Sequence, residues 1–402
     1  MTGLSTIERE AVERAGASPM LARTRAWAAI NSGTGNLAGL AKVAALLADG
    51  FAALPGEIVL VDPEPAERVT IDGRVEAVAN GRHLLLTVRP HAPVQMLLTG
   101  HMDTVYPDDH PFQAIADLPD GRVNGPGVAD MKGGLAVMLA ALEAVEASPA
   151  AARIGYQVMI NSDEETGSFS SAGLIARAAR GKLAALTYEP ALADGTLAGA
   201  RGGTGNFAIK VHGQSAHAGR NPDEGRNAIV AVADLALRLK AAHRAGLSVN
   251  PARIDGGGPN NVVPDLAILR VNFRPASMAD IAEAQALIDA AVAGVATEHA
   301  VRIDVHGGFN RPPKPVDPAA QRLFGMVRDA GAGLGLAIAW QATGGVCDGN
   351  NIAACGVPVV DTMGPRGGLI HSPQEFLIPA SLAERAALSA VTLLRIAEKG
   401  SV

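Results

Sequence analysis

Val94-Gln95-Met96-Leu97-Leu98-Thr99-Gly100-His101-Met102-Asp103 is an apolar run that ends in a histidine and an aspartate two positions apart. The short continuous run Val94 to Thr99 reads as a strand buried on both faces, as in the parallel sheets of α/β proteins, where helices cover both sides. In an open α/β sheet ligands collect at the carboxyl ends of the strands, which places His101 where a site is expected. The spacing lets His101 face a metal while Asp103 bonds the far side of its ring and fixes the tautomer.

Working outward, the periodicity from about Ser5 to Leu47 is helical, and Glu57 to Val61 is a second buried strand. A helix is expected from Met131 to Glu146, a strand from Ile154 to Asn161, a helix near Ser171 to Arg180 and a strand from Leu183 to Tyr188. This alternation predicts an α/β unit with a mainly parallel sheet covered by helices. After Gly199 the pattern changes. Strand Gly205 to Val211, helix Gly225 to Ala245, a short strand Arg253 to Asp255, strand Leu266 to Phe273, helix Met278 to Glu298 and strand Val301 to Val305 give the order βαββαβ. That is a ferredoxin-like unit. Pro312, Pro313 and Pro315 read as a linker, and the chain closes in a long helix from Ser381 to Lys399. The expected organisation is one discontinuous domain, 1–199 and 312–402, carrying an inserted domain, 200–311.

Composition excludes several functions. The net charge of -6 and 3% aromatic content give neither the basic footprint nor the stacking platforms of nucleic-acid binding. Apolar runs are interrupted well before the roughly 20 residues a membrane span needs. The first ten residues lack the pattern of a secretory signal, and the two cysteines, Cys347 and Cys355, read as reduced thiols, so a soluble cytoplasmic protein is expected.

Further acidic residues follow strands. Asp130 stands at the mouth of the helix expected from Met131, Glu164 and Glu165 come just after Asn161, and Glu189 follows Tyr188. Singly, these would be a helix cap and a solvated turn. Together with His101 they put a carboxylate or a histidine at the carboxyl end of each of three expected strands, where a shared site would lie. Two divalent ions about 3.5 to 4 Å apart need a bridging carboxylate, and mixed histidine and carboxylate ligands suit zinc. His371, after the expected strand Val357 to Asp361, supplies a second imidazole.

Six segments, Gly-His-Met-Asp-Thr-Val from Gly100, Gly-Pro-Gly-Val-Ala-Asp-Met-Lys-Gly-Gly from Gly125, Asp-Glu-Glu-Thr-Gly-Ser from Asp163, Tyr188-Glu189-Pro190, Ser-Ala-His-Ala-Gly from Ser215 and Gly368-x-x-His371-Ser372, together resemble the M20 metallopeptidases. The wording from His101 to Pro107 is closest to the glutamate carboxypeptidase branch. The resemblance implies two Zn2+ per chain, with Co2+ able to substitute. Asp130 would bridge them, His101 and Glu189 would complete one site, and Glu165 and His371 the other. It implies Glu164 as general base, Asp103 as the residue orienting His101, and a cis Asp130-Met131 peptide. It also makes the inserted domain a lid through which the chain forms a homodimer. His217 would stabilise the oxyanion in the partner's site, and Asn261 and Arg274 would recognise the substrate. The activity implied is hydrolysis of an amide bond in a small, carboxylate-bearing, dipeptide-like substrate, releasing a C-terminal amino acid.

An N-acyl amino acid deacylase remains the alternative, and a non-catalytic metal-dependent binding protein is a third reading, against which Glu164 speaks. Two positions depart from the pattern. Cys347 replaces a common Ser or Thr, and Thr196 aligns where some glutamate-releasing members carry a basic residue. Gly33-Thr34-Gly35 mimics a dinucleotide fingerprint but follows a helical pattern rather than a strand, so it is read as structural. His110 and His212 fall in none of the segments.

Overall fold

The computed structural model describes residues 3–402. Its central sheet has six strands in the order Glu57–Val61, His83–Val88, Ile154–Asn161, Val94–His101, Ala184–Thr187 and Val359–Val360. The sheet is mixed. The last four strands are mutually parallel, and His83–Val88 runs antiparallel to both of its neighbours.

Both faces of the sheet are covered, which is why the strands read as continuous apolar runs. Met96 and Leu98 point into one core with Leu135, Val158 and Ile160, whereas Leu97 joins Met159, Ala185, Ile175 and Ile352 on the other face. The helix Gly133–Glu146 lies in the larger core and is apolar around almost its whole circumference. It packs between Thr6–Ala17, Met20–Ala28 and Ala380–Lys399, so no side of it needs to meet water. Leu139, fully buried there, gives a direct check on this core. Leu139→Ala should destabilise the protein by about 2–5 kcal/mol, read as a lower midpoint of denaturant unfolding; an unchanged midpoint would place this helix outside the cooperative core.

The structure adjusts several sequence expectations. The long N-terminal periodicity resolves into three helices, Thr6–Ala17, Met20–Ala28 and Leu37–Phe51. Pro19 lies at the first break, and Asn36 caps the third helix by accepting from Gly39 N at 3.0 Å. The helix expected from Met131 begins at Gly133, because Val128–Lys132 forms an irregular turn with non-helical backbone at Asp130 and Met131. The Asp130-Met131 peptide is cis, as the resemblance implied.

Residues 204–311 fold as strand Thr204–His212, helix Ala228–Ala241, strands Leu247–Gly256 and Leu266–Pro275, helix Met278–Glu298 and strand Arg302–Arg311. The strands pair in the order Leu247–Gly256, Leu266–Pro275, Thr204–His212, Arg302–Arg311, with every pairing antiparallel. Their own core gathers Phe207, Ile209, Val232, Leu235, Leu269, Phe273 and Ile288. The strand expected at Arg253 to Asp255 spans ten residues. Pro251 and the register shift beside it interrupt its alternation, which an edge strand tolerates. A hairpin, Ala66–Val69 with Val75–Val78, reaches from the other part of the chain to this sheet, where Lys210 Nζ donates to Gly73 O at 3.1 Å and Arg270 Nη2 to Val69 O at 3.0 Å.

Candidate metal centre

Three segments from the ends of the parallel strands converge with two loops from outside that sheet. His101 ends its strand, Glu164 and Glu165 follow Ile154–Asn161, Glu189 follows Ala184–Thr187, and Asp130 comes from the irregular turn. His371 arrives on a loop after Gly367–Gly368. Asp130 sits between the two imidazoles: its Oδ1 is 3.0 Å from His101 Nε2 and its Oδ2 is 3.3 Å from His371 Nε2. Glu189 Oε2 lies 3.8 Å from His101 Nε2, and Glu165 Oε2 lies 3.2 Å from His371 Nε2. One carboxylate therefore faces two histidines, each with a further glutamate beside it.

Asp103 is fully buried behind His101. Its backbone O is 3.1 Å and its carboxylate Oδ1 3.3 Å from His101 Nδ1. The same carboxylate accepts from Glu164 N at 3.2 Å, Glu165 N at 3.1 Å and Thr34 Oγ1 at 2.8 Å. It thus orients the imidazole and fixes the Glu164-Glu165 turn together. The Gly33-Thr34-Gly35 segment serves this contact, and Gly33 packs so closely that a Cβ there would meet Tyr106 O at 2.3 Å.

The donor set fits divalent cations. Burial pushes Glu164, Glu165 and Glu189 above the usual carboxylate range, Glu189 to about 7, and neighbouring carboxylates push them further. Burial alone would lower His101, but Glu189 and its bonds to Asp103 and Asp130 hold it well above its ordinary value. Such a cluster of negative groups out of water calls for positive charge. One ligand atom each from His101, Asp130 and Glu165 falls within 4.8 Å of the others, and the same holds for His101, Glu164 and Glu189. Glu164 is distinguished from the rest by Arg311, whose Nη2 stands 2.8 Å from its Oε1.

A cavity of about 290 Å3 opens beside the cluster, lined by Asp130, Glu164, Glu165, Glu189 and His371 and, further out, by Leu192, Arg201, Val346 and Ile370. His217, Asn261 and Arg274 do not line it. His217 and Asn261 are exposed on adjoining loops of the 204–311 unit, joined by Ala218 N donating to Asn261 O at 3.0 Å. Arg274 donates through Nε to Asn272 Oδ1 at 2.9 Å. His110 packs on Tyr106, and His212 pairs with Asp304 at 2.9 Å, so neither competes for the centre.

The model of peptidase family M20/M25/M40 matches residues 97–395. The chain belongs to this family. It is 30% identical over 322 residues to carboxypeptidase G2 of Pseudomonas sp. (strain RS-16), covering 78% of this chain and 76% of that protein. It is 30% identical over 329 residues to the succinyl-diaminopimelate desuccinylase of Xanthomonas oryzae pv. oryzae (strain PXO99A), covering 76% and 84%. The fold is shared with Bacillus subtilis YXEP, a dinuclear metal binding peptidase of the M20 family, at a TM-score of 0.65 and 16% identity, covering 94% of this chain and 98% of that one. The protein is therefore a metallohydrolase of the M20 type.

Sequence reasoning missed three buried charges around this M20 centre. Glu375, 1% exposed, accepts at Oε1 from Ala129 N at 3.0 Å and Asp130 N at 3.1 Å, and at Oε2 from Gly127 N at 3.2 Å. It satisfies the backbone of the turn that presents Asp130. Burial and the Asp130 charge push it up to about 7. Lys132 donates to Ser32 Oγ at 2.6 Å and Met102 O at 2.8 Å, tying that turn to the loop after His101. Arg311 is the third. Lys132 lay inside a quoted segment, whereas no local pattern marks Glu375 or Arg311, whose partners are distant in sequence. Glu375→Gln should weaken divalent-metal binding about 10- to 100-fold, measured by competition with a chromogenic chelator. Unchanged affinity would show that the turn holds Asp130 without it.

Proposed function

We propose that the protein is a zinc-dependent amidohydrolase that cuts a peptide-like bond of a small carboxylate-bearing substrate and releases a C-terminal amino acid. The observation that carries the reading is Asp130 facing His101 and His371 with its two oxygens, next to a glutamate held by an arginine. His101, Glu189, Asp130, Glu165 and His371 would hold two Zn2+, for which Co2+ could substitute. When bound, such a pair polarises the scissile carbonyl and lowers the pKa of water toward neutrality. Glu164 takes the proton of the attacking water and delivers it to the leaving amine. Asp103 keeps His101 in its working tautomer throughout.

The 204–311 unit is proposed as a ferredoxin-like lid and dimerisation domain on a catalytic domain formed by 1–199 and 312–402. His217, exposed and away from the cavity of its own chain, would stabilise the oxyanion in the partner's site. Asn261 and Arg274 would grip the substrate, Arg274 as a fork on its carboxylate. No helix is long and apolar enough to cross a membrane among the described residues. A cytoplasmic role is proposed on the likeness to succinyl-diaminopimelate desuccinylase.

One observation favours the N-acyl amino acid deacylase reading. Arg201 is the only arginine or lysine lining the cavity among the described residues, and it is engaged by Asp361 Oδ2 at 2.7 Å and Gly345 O at 3.0 Å. The rest of the outer wall is neutral, with Thr196 and Leu192 facing the cavity, which suits an uncharged acyl group better than a second carboxylate. A screen of dipeptides and N-acyl amino acids with added zinc, reading the released amine, decides between the two. Metal binding without amine release from any substrate would leave a binding protein.

A further inference from the structure

The chain crosses between its two parts at residues 201–204 and 311–314. Arg201 and Lys314 exchange backbone hydrogen bonds at 2.9 Å, and the Asn350 side chain donates to Gly202 O at 2.9 Å and Pro312 O at 2.8 Å. Arg311 is the last residue of the strand Arg302–Arg311, paired with Thr204 across the same crossing. Its side chain leaves the 204–311 unit altogether. It is 5% exposed, and its Nη2 lies 2.8 Å from Glu164 O, 2.8 Å from Glu164 Oε1 and 2.8 Å from Ser168 Oγ. Behind it stands a buried polar anchor. Asp348 Oδ1 is 3.6 Å from Arg311 Nη2 and accepts from Ser168 Oγ at 2.5 Å, and Asp348 Oδ2 accepts from Asn161 Nδ2 at 2.8 Å.

We propose that Arg311 is the positioning residue for Glu164, gripping both its backbone carbonyl and its carboxylate, so that the hinge of the 204–311 unit sets where the proton-accepting oxygen stands. The inference rests on Glu164 being the base. A carboxylate has free rotation about its last side-chain bonds unless something holds it, and here one nitrogen of a planar guanidinium, Nη2, donates to Glu164 O and Ser168 Oγ while standing in ion-pair contact with Glu164 Oε1. Among the described residues no other cation pairs with Glu164. The partner could have been supplied from the catalytic part of the chain. Its arrival from the hinge instead means that a rotation of the 204–311 unit about residues 311–314 moves the group that aims Glu164. Arg311 touches no substrate in this role. It acts through Glu164, and the rate depends on it because a reacting group displaced by about 1 Å can lose roughly 100-fold in turnover.

The test uses the full-length, metal-loaded enzyme with the best substrate from the screen. Arg311→Ala should lower kcat by roughly 100-fold with KM within about threefold of wild type; metal content should hold at the assay temperature, while the melting temperature falls because buried carboxylates lose their partner. Sub-denaturing guanidinium chloride should restore part of that rate by filling the vacated space, whereas methylammonium chloride at the same ionic strength should not. A purely structural role would not give ligand-selective rescue at constant metal content. Wild-type kcat in Arg311→Ala overturns the proposal, as does a raised KM at unchanged kcat or a rate loss that tracks lost metal. If the alanine variant does not fold, Arg311→Lys keeps the charge without the planar guanidinium that fixes the direction of Nη2. It should show the same fall in kcat, and full activity there overturns the proposal. Glu164→Gln separates the two layers: an active Glu164→Gln enzyme removes the base assignment itself, while an inactive one beside a fully active Arg311→Ala removes only the positioning role.

Discussion

Glu164→Gln is expected to keep close to two divalent ions per chain and to lose roughly 100- to 10,000-fold in kcat. The amide is nearly isosteric with the carboxylate, so the loop anchored by Asp103 at Glu164 N and Glu165 N keeps its backbone bonds. What disappears is a group able to take a proton from water and return it to the amine. Metal analysis on the purified variant, beside kcat and KM on one substrate, separates the possibilities. Because one of the converging sets includes Glu164 with His101 and Glu189, the geometry admits a ligand role as well. Metal loss accompanied by partial activity would show that role and sink the base assignment.

The second large effect is expected from mixing two inactive enzymes. Glu164→Ala and His217→Ala homodimers should both be nearly dead if each site of a two-fold dimer takes Glu164 from one chain and His217 from the other. Subunit exchange between them creates heterodimers in which one site has both groups intact and the other has neither. Activity should return toward one working site per heterodimer. His217 is exposed and absent from its own chain's cavity, and its Nδ1 accepts from Gly219 N and Arg220 N. If exchange is confirmed by an independent tag and the mixture stays as inactive as its parents, His217 acts within its own chain or not at all.

How much of this was legible beforehand differs by element. The strand Ile154–Asn161 and the helix Met278–Glu298 match their sequence boundaries, because a buried run and a long amphipathic helix each carry a strong periodic signal. The strand His83–Val88 and the hairpin at 66–78 were not read. The first is antiparallel within a mainly parallel neighbourhood, and the second is short and polar with a five-residue turn. Thr34 was set aside on sound local grounds, and its contact with Asp103 became visible only when residues 69 positions apart met.

The sequence by itself marked the histidines and carboxylates that converge, and put His101, Glu164, Glu165 and Glu189 at or just past strand ends, since strand-end position is set by local apolar patterning and His-x-Asp spacing is fixed by a few bonds. It also marked where one pattern of strands and helices gives way to another. Only the tertiary structure decided that Asp130 turns one oxygen to each imidazole, and that Glu375, 245 residues along the chain, holds the turn that does so. The same is true of Arg311, which reaches Glu164 across 147 residues. Such partners leave no periodic trace, because a buried ion pair is selected by the distance between side chains in space and by the cost of leaving either charge unpaired, and neither quantity exists until the chain has folded.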